Sequence, residues 1–234
     1  MPFYGFYMDP GYFLVIITAI LSIIASARVN STFKKYSKLY TGRNITAEQA
    51  ARKILDSNGL HDIRIEGVAG NLTDHYDPRA KVIRLSESVR TSTSVAAVGV
   101  AAHEAGHAVQ HSVGYFPIKL RNTLVPVANI GSMIGPYLII FGLIFSTTTL
   151  LAEIGIWLFS AAVLFQIVTL PVEFNASNRA IKILENDMYL EAGEVPAVKK
   201  VLGAAAMTYV AAAAASIANL LRLVMLVAGR RNDD

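Results

Sequence analysis

The chain has 234 residues, of which 53% are hydrophobic and only 16% charged, whereas ordinary globular chains carry about 25% charged residues. With a mean hydropathy of +0.44 and its apolar residues gathered into long uncharged runs, it cannot be a disordered chain, a disulfide-rich secreted module or a plain soluble enzyme, and reads as an integral membrane protein. Cysteine is absent, which removes disulfides, thiolate ligands and a cysteine nucleophile; the net charge of +4 is assigned to Lys and Arg that set topology, and no nucleic-acid partner is expected.

Residues 1–27 are expected to form an N-terminal membrane anchor. Tyr12–Ala27 is a sixteen-residue run without charge; extended back over Phe6–Met8 it approaches the ~20 residues that cross a bilayer. Phe3, Tyr4, Phe6, Tyr7, Tyr12 and Phe13 are placed as an interfacial aromatic belt. Ala25-Ser26-Ala27 resembles a signal-peptide cleavage site. No Lys or Arg precedes the run, however, and Asp9 does, so an uncleaved anchor is expected.

Residues 28–124 read as a polar, cytoplasmic region. It opens on the basic cluster Arg28, Lys34, Lys35, Lys38 and Arg43. Thr46-Ala-Glu-Gln49 is a capping box that starts a helix, which Gly59 can close. The β-like stretches Ile63–Glu66 and Lys81–Leu85 flank the turn-rich Asn71–Pro78, a pattern that predicts a β-hairpin. Lys81–Leu85 is also considered as an edge for an extended peptide substrate, or equally as an ordinary sheet strand. A helix of small residues is expected from about Ser94 to Ser112.

Residues 125–172 are expected to form a two-span membrane hairpin, Val125–Leu151 and Ile154–Val172, turning at Thr147-Thr-Thr149 and Glu153. Gly131 and Gly135 have GxxxG spacing, which permits close helix packing. Residues 173–200 form a helical segment that returns to the polar face. Residues 201–234 carry an alanine-rich last span, Val201–Ala228, broken only by Arg222, and a tail. Fourteen Lys and Arg fall between Arg28 and Arg121, four between Arg179 and Lys200, and none in the first 27 residues. The positive-inside rule then puts the polar region and the 173–200 segment in the cytoplasm of a multi-pass cell-membrane protein. Arg230-Arg231 conflicts with this if Val201–Ala228 crosses fully, so the last span is the weakest part of the topology.

The chemistry concentrates in Ala101-Ala-His-Glu-Ala-Gly-His-Ala-Val-Gln110. In a helix, His103 and His107 stand one turn apart on one face, where both imidazoles can reach one Zn2+ ion. Glu104 follows the first of them and can act on water beside the metal without ligating it, the placement of a general base. Average residue usage produces H-E-x-x-H by chance in roughly one chain of this length in two hundred, so the match is not dismissed.

A catalytic zinc takes a third protein ligand. The metzincin continuation needs Gly at 110 and His at 113, where this chain has Gln110 and Val113, so the ligand is sought further along. Glu173 is the candidate, because the intervening sixty-five residues allow two crossings and a return. His111 and His75 are auxiliary candidates. His111 is more simply a helix histidine with ordinary hydrogen bonds. His75 is either a turn histidine or a stabiliser of an oxyanion.

Thr73–Pro78, Ala101–Gln110 and Leu170–Ser177 together resemble the YugP-type neutral zinc metallopeptidases of bacterial membranes, similar in plan to the HtpX and CaaX-processing membrane proteases. The resemblance covers most of the chain. It implies His103 and His107 as ligands, Glu104 as catalytic base and Glu173 as third ligand at the membrane surface. One departure is Ser177, where the HtpX-like pattern has an Asp that supports a zinc histidine; the orientation of the histidines is therefore expected to come from elsewhere.

The fold class expected is a mainly α integral membrane protein: a helical bundle with a zinc-site helix and a small β-hairpin or sheet at the cytoplasmic face. The function expected is a membrane-embedded zinc endopeptidase, acting on peptides or membrane-associated proteins, with a membrane regulator or a second copy as further partners. The alternative is a zinc-binding membrane scaffold or regulatory subunit without protease activity. A di-iron oxygenase is set aside, because a histidine-only site needs more imidazoles than this chain's five.

Overall fold

The structure is a computed structural model, which describes residues 10–145, 150–186 and 189–231. Phe3, Tyr4, Phe6 and Tyr7 of the expected aromatic belt, the Thr147–Thr149 turn and the acidic end of the tail lie outside the described residues. In chain order the elements are α1 (Pro10–Tyr36), α2 (Ala47–Ser57), β1 (Arg64–Val68), β2 (His75–Asp77), β3 (Val82–Ser86), α3 (Glu87–Arg90), α4 (Val95–Ser112), α5 (Phe116–Phe145), α6 (Leu150–Asn186) and α7 (Val195–Arg231). Among the described residues four helices are long and apolar enough to cross a membrane: Gly11–Tyr36, Phe116–Phe145, Leu150–Asn186 and Val195–Gly229.

Each of these helices outruns its apolar stretch. α5 begins at Phe116, α6 runs on through Glu173 to Asn186 and α7 begins at Val195. Loss of hydrophobicity does not by itself end a helix; that takes a cap or a breaker. The extensions are amphipathic instead, burying Ala176, Ala180 and Leu184 on α6 and Val195, Val198 and Leu202 on α7. Pro171 sits inside α6, as proline can where other groups re-satisfy the freed backbone.

The contacts divide into two units. One holds the chain up to Ala25, Leu120–Leu170 and Thr208 onwards. Its small core is built on Ile139, Phe159, Val163, Leu223 and Val227. α5 and α6 approach through small residues, as the GxxxG spacing anticipates. A Cβ on Gly142 would lie 2.6 Å from Ala152 N, and one on Gly155 would lie 2.7 Å from Gly135 O, while one on Gly131 would collide with the Leu158 carbonyl. Outward-facing residues such as Ile23, Phe145 and Trp157, the last 78% exposed, suit a lipid surface rather than water. Arg222 places its guanidinium 5.1 Å from the Tyr12 ring centre, a favourable partner for a cation in an apolar run.

The other unit comprises Ser26–Lys119 and Pro171–Met207. The Thr46 hydroxyl accepts from Gln49 N and the Gln49 side chain accepts from Thr46 N, which completes the capping box. Gly59, with φ +71°, carries the chain out of α2. The buried residues Ala50, Ile54 and Leu55 of α2, Ile83 and Leu85 of β3 and Val95, Val98 and Ala102 of α4 form one core.

The sheet corrects two expectations. Its order is β1-β3-β2. The stretches expected to form a hairpin pair parallel, Arg64 opposite Val82 through Val68 opposite Ser86. The hairpin is instead β2 with β3, His75 opposite Arg84 and Asp77 opposite Val82. Asp77 Oδ1 accepts from Arg79 N and Ala80 N, and Lys81 adopts φ +50°, which closes the turn just after the segment expected to be all loop. Lys81–Leu85 is therefore not a free edge for substrate: β3 is the central strand and its amides are taken on both sides.

Candidate metal centre

α4 is buried around most of its circumference, with the Ser94 hydroxyl capping its first turn at Ala97 N. The sequence gives it small residues, and Gly106 shows why. A Cβ there would lie 2.8 Å from the Ala176 carbonyl oxygen on α6. Gly106 stands between His103 and His107, and Ala176 between Glu173 and Ser177. The close backbone approach at this one point thus brings the two pairs of polar residues together.

Among the described residues, His103, His107 and Glu173 are the metal-ligating side chains that meet, with their donor atoms all within 4.8 Å of one another. Glu173 Oε2 lies 3.3 Å from His103 Nε2 and 3.5 Å from His107 Nε2. Donors placed tetrahedrally at ~2.05 Å from one zinc ion stand about 3.3 Å apart, so the two distances from Glu173 fit that ion. Glu173 is 2% exposed. Burial opposes protonation of His107, but its bond to Glu173 and the charges of Glu104 and Glu173 outweigh this and raise its pKa above the ordinary histidine value. The excess negative charge that does so is what a divalent cation would neutralise. Glu104 is buried beside His103. Its charge also reaches Asp74, whose carboxyl is raised chiefly by burial, although Ser86 N and Oγ donate to it.

Four further side chains orient the site. Gln110, fully buried, donates from Nε2 to the Val172 carbonyl at 2.8 Å and to Asn175 Oδ1 at 3.0 Å. A carbonyl can only accept, so this fixes the amide, and its Oε1 must face His107 Nδ1 at 3.0 Å. Nδ1 then carries a proton, which leaves Nε2, the nitrogen on the Glu173 side, as the one that can ligate a metal. Asn175 Oδ1 is held in turn by Arg179 Nε at 2.7 Å. The Ser177 hydroxyl sits 3.1 Å from His103 Nδ1. The expectation that support for the histidines comes from elsewhere than position 177 is thus half corrected: serine fills that place for His103, and Gln110 serves His107. Sequence reasoning used Gln110 only to exclude a metzincin. The available signal was a polar side chain three residues after His107, on a helix otherwise lined with alanine and valine.

His75 and His111 do not join the three-donor cluster. His75 lies in β2 rather than in a turn, donating from Nδ1 to Thr73 O at 2.8 Å. His111 packs edge-on against Tyr76 at 5.6 Å.

Residues 11–228 match the model of a family described as "Putative neutral zinc metallopeptidase". A protein of Bacillus subtilis (strain 168), named "Putative membrane protease YugP", is 47% identical over 222 residues, covering 95% of this chain and 98% of that protein. No solved structure matches the chain. The chain belongs to this family of zinc metallopeptidases, and its His103, His107 and Glu173 can hold the metal.

Proposed function

We propose that this member of the zinc metallopeptidase family is a multi-pass membrane endopeptidase, with His103, His107 and Glu173 as zinc ligands and Glu104 as general base. The observation that carries the reading is the meeting of the three donors at 3.3 and 3.5 Å, across seventy residues of sequence, next to a buried carboxylate that is not one of them. Bound zinc supplies Lewis acidity, lowering the pKa of water at the site toward ~7 and polarising a carbonyl. Glu104 takes the proton from the attacking water and delivers it to the amine that leaves as the peptide C–N bond breaks. Gln110 holds His107 in the tautomer that leaves Nε2 for the metal, and the Ser177 hydroxyl, able to accept from His103 Nδ1, serves His103 in the same way. Substrates are peptides or proteins at the membrane surface, in keeping with the name of the Bacillus relative.

Glu104→Gln keeps size and hydrogen bonding but removes the base. Cells carrying it should accumulate the substrates, which proteomic comparison with wild type identifies. Cleavage of such a substrate by the purified variant should fall by at least ~10²-fold, the lower end of general acid–base contributions, with zinc content unchanged. Cleavage at the wild-type rate and full zinc occupancy would refute the mechanism. Zinc retention with no peptide turned over by wild type would favour a scaffold.

The site is assigned to the cytoplasmic face on the basic-residue asymmetry. In this cysteine-free chain, Ser57→Cys, at an exposed position, should resist impermeant thiol reagents in intact cells. Labelling at Ser57→Cys with Tyr4→Cys protected reverses the orientation.

A further inference from the structure

A second feature of the same unit has no part in the metal centre. α1 and α7 flank a half-open cavity of about 540 Å³. α1 contributes Arg28, Thr32, Lys35 and Tyr36, and α7 contributes Lys200, Gly203 and Met207. The α1 residues follow i, i+4, i+7, i+8 spacing and so lie on one helix face. Three cations line the cavity and no acid does. No ion pair joins Arg28, Lys35 or Lys200 to a carboxylate among the described residues, so their charge is not neutralised within the cavity. Lys35 Nζ is 5.6 Å from the Tyr36 ring centre, which leaves its donors available.

The position along the helices identifies the ligand. Arg28 directly follows the uncharged run that ends at Ala27, and Lys200 directly precedes the run that starts at Val201. Both apolar spans therefore end at the cavity, the level at which lipid phosphates stand. Arg28 and Lys35 are seven residues apart, about 10 Å along α1, as are Lys200 and Met207 along α7. Cations line the α1 side at both ends, and beyond Lys200 the α7 side is an apolar wall of Gly203, Ala204 and Met207, which matches a phosphate joined to acyl chains rather than a free ion. Cations grouped between membrane helices favour anionic headgroups, and Arg adds a planar fork suited to phosphate oxygens. We infer that Arg28, Lys35 and Lys200 bind the phosphodiester of an anionic phospholipid in this cavity, with Thr32 and Tyr36 able to donate to its oxygens.

The test uses the full-length protein in nanodiscs of phosphatidylcholine containing phosphatidylglycerol, with retained lipid counted by native mass spectrometry. Wild type should retain phosphatidylglycerol over phosphatidylcholine. Each of Arg28→Gln, Lys35→Gln and Lys200→Gln should lower that preference about fivefold, and the triple variant by more than ~50-fold, since each surface cation contributes about 1 kcal/mol. Lys34→Gln/Lys38→Gln/Arg43→Gln removes equal charge from the same basic segment outside the cavity and should change the preference little. Gly203→Phe keeps every charge and plugs the space. A Cβ there meets nothing within 4 Å, so the variant should fold, hold zinc and still lose the lipid. Inorganic phosphate, added at millimolar concentration to protein in pure phosphatidylcholine, should not reproduce the thermal stabilisation given by phosphatidylglycerol. Unchanged lipid retention in the triple variant and in Gly203→Phe, or equal stabilisation by inorganic phosphate, would overturn the assignment.

Discussion

Gly106→Ala adds one methyl at the point where α4 meets α6. Its Cβ would lie 2.8 Å from the Ala176 carbonyl oxygen, whereas carbon–oxygen contacts of this kind settle near ~3.3 Å or beyond. That oxygen belongs to the backbone, with no rotamer to turn away, so the helices must separate by about 0.5 Å. Overpacking of a well-filled interior costs about 1–3 kcal/mol, and the better helix propensity of alanine returns only ~0.5–1 kcal/mol of that. The larger consequence is at the metal. His103 and His107 ride on α4 and Glu173 on α6, and zinc tolerates donor displacements of only ~0.2 Å. Gly106→Ala should therefore unfold a few degrees lower and lose zinc at chelator concentrations that wild type survives. Gly203→Ala, where the Cβ meets nothing within 4 Å, should leave zinc unchanged and stabilise slightly. The assay is zinc content after graded chelator exposure, alongside thermal unfolding in detergent. Wild-type zinc retention and melting temperature in Gly106→Ala would show that this helix contact does not set the site.

Glu173→Ala should remove most of the bound zinc, because two imidazoles alone remain, while Glu185→Ala on the exposed side of the same helix should not; metal analysis of the purified proteins decides, and equal occupancy in Glu173→Ala and wild type refutes the ligand assignment. Gln110→Leu leaves the His107 Nδ1 proton and the Val172 carbonyl without their side-chain partner. Zinc affinity should fall about 10–100-fold, as for other lost supports of metal-bound histidines. Gln110→Glu, which keeps an acceptor for Nδ1, should fall less, and competition with a chromophoric chelator ranks the three.

What the sequence determined by itself is what depends on near neighbours along the chain. The apolar runs, the capping box at Thr46–Gln49, the exit at Gly59 and the one-turn spacing of His103 and His107 all follow from helix geometry and residue chemistry over fewer than about twenty residues. Glu173 was legible through a weaker argument, elimination plus the length needed for two crossings, with the family resemblance beside it. Tertiary structure alone decided the rest. β1 and β3 pair parallel across an intervening strand, which no local alternation distinguishes from a hairpin, because period two is the same in both. The tautomer of His107 depends on Gln110, whose amide is oriented by the Val172 carbonyl sixty-two residues away. The support of His103 by Ser177 spans seventy-four residues. These contacts exist only because Gly106 lets two helix backbones touch. A glycine inside a helix reads locally as a weakness, and its value appears only once the Ala176 carbonyl is known to stand against it.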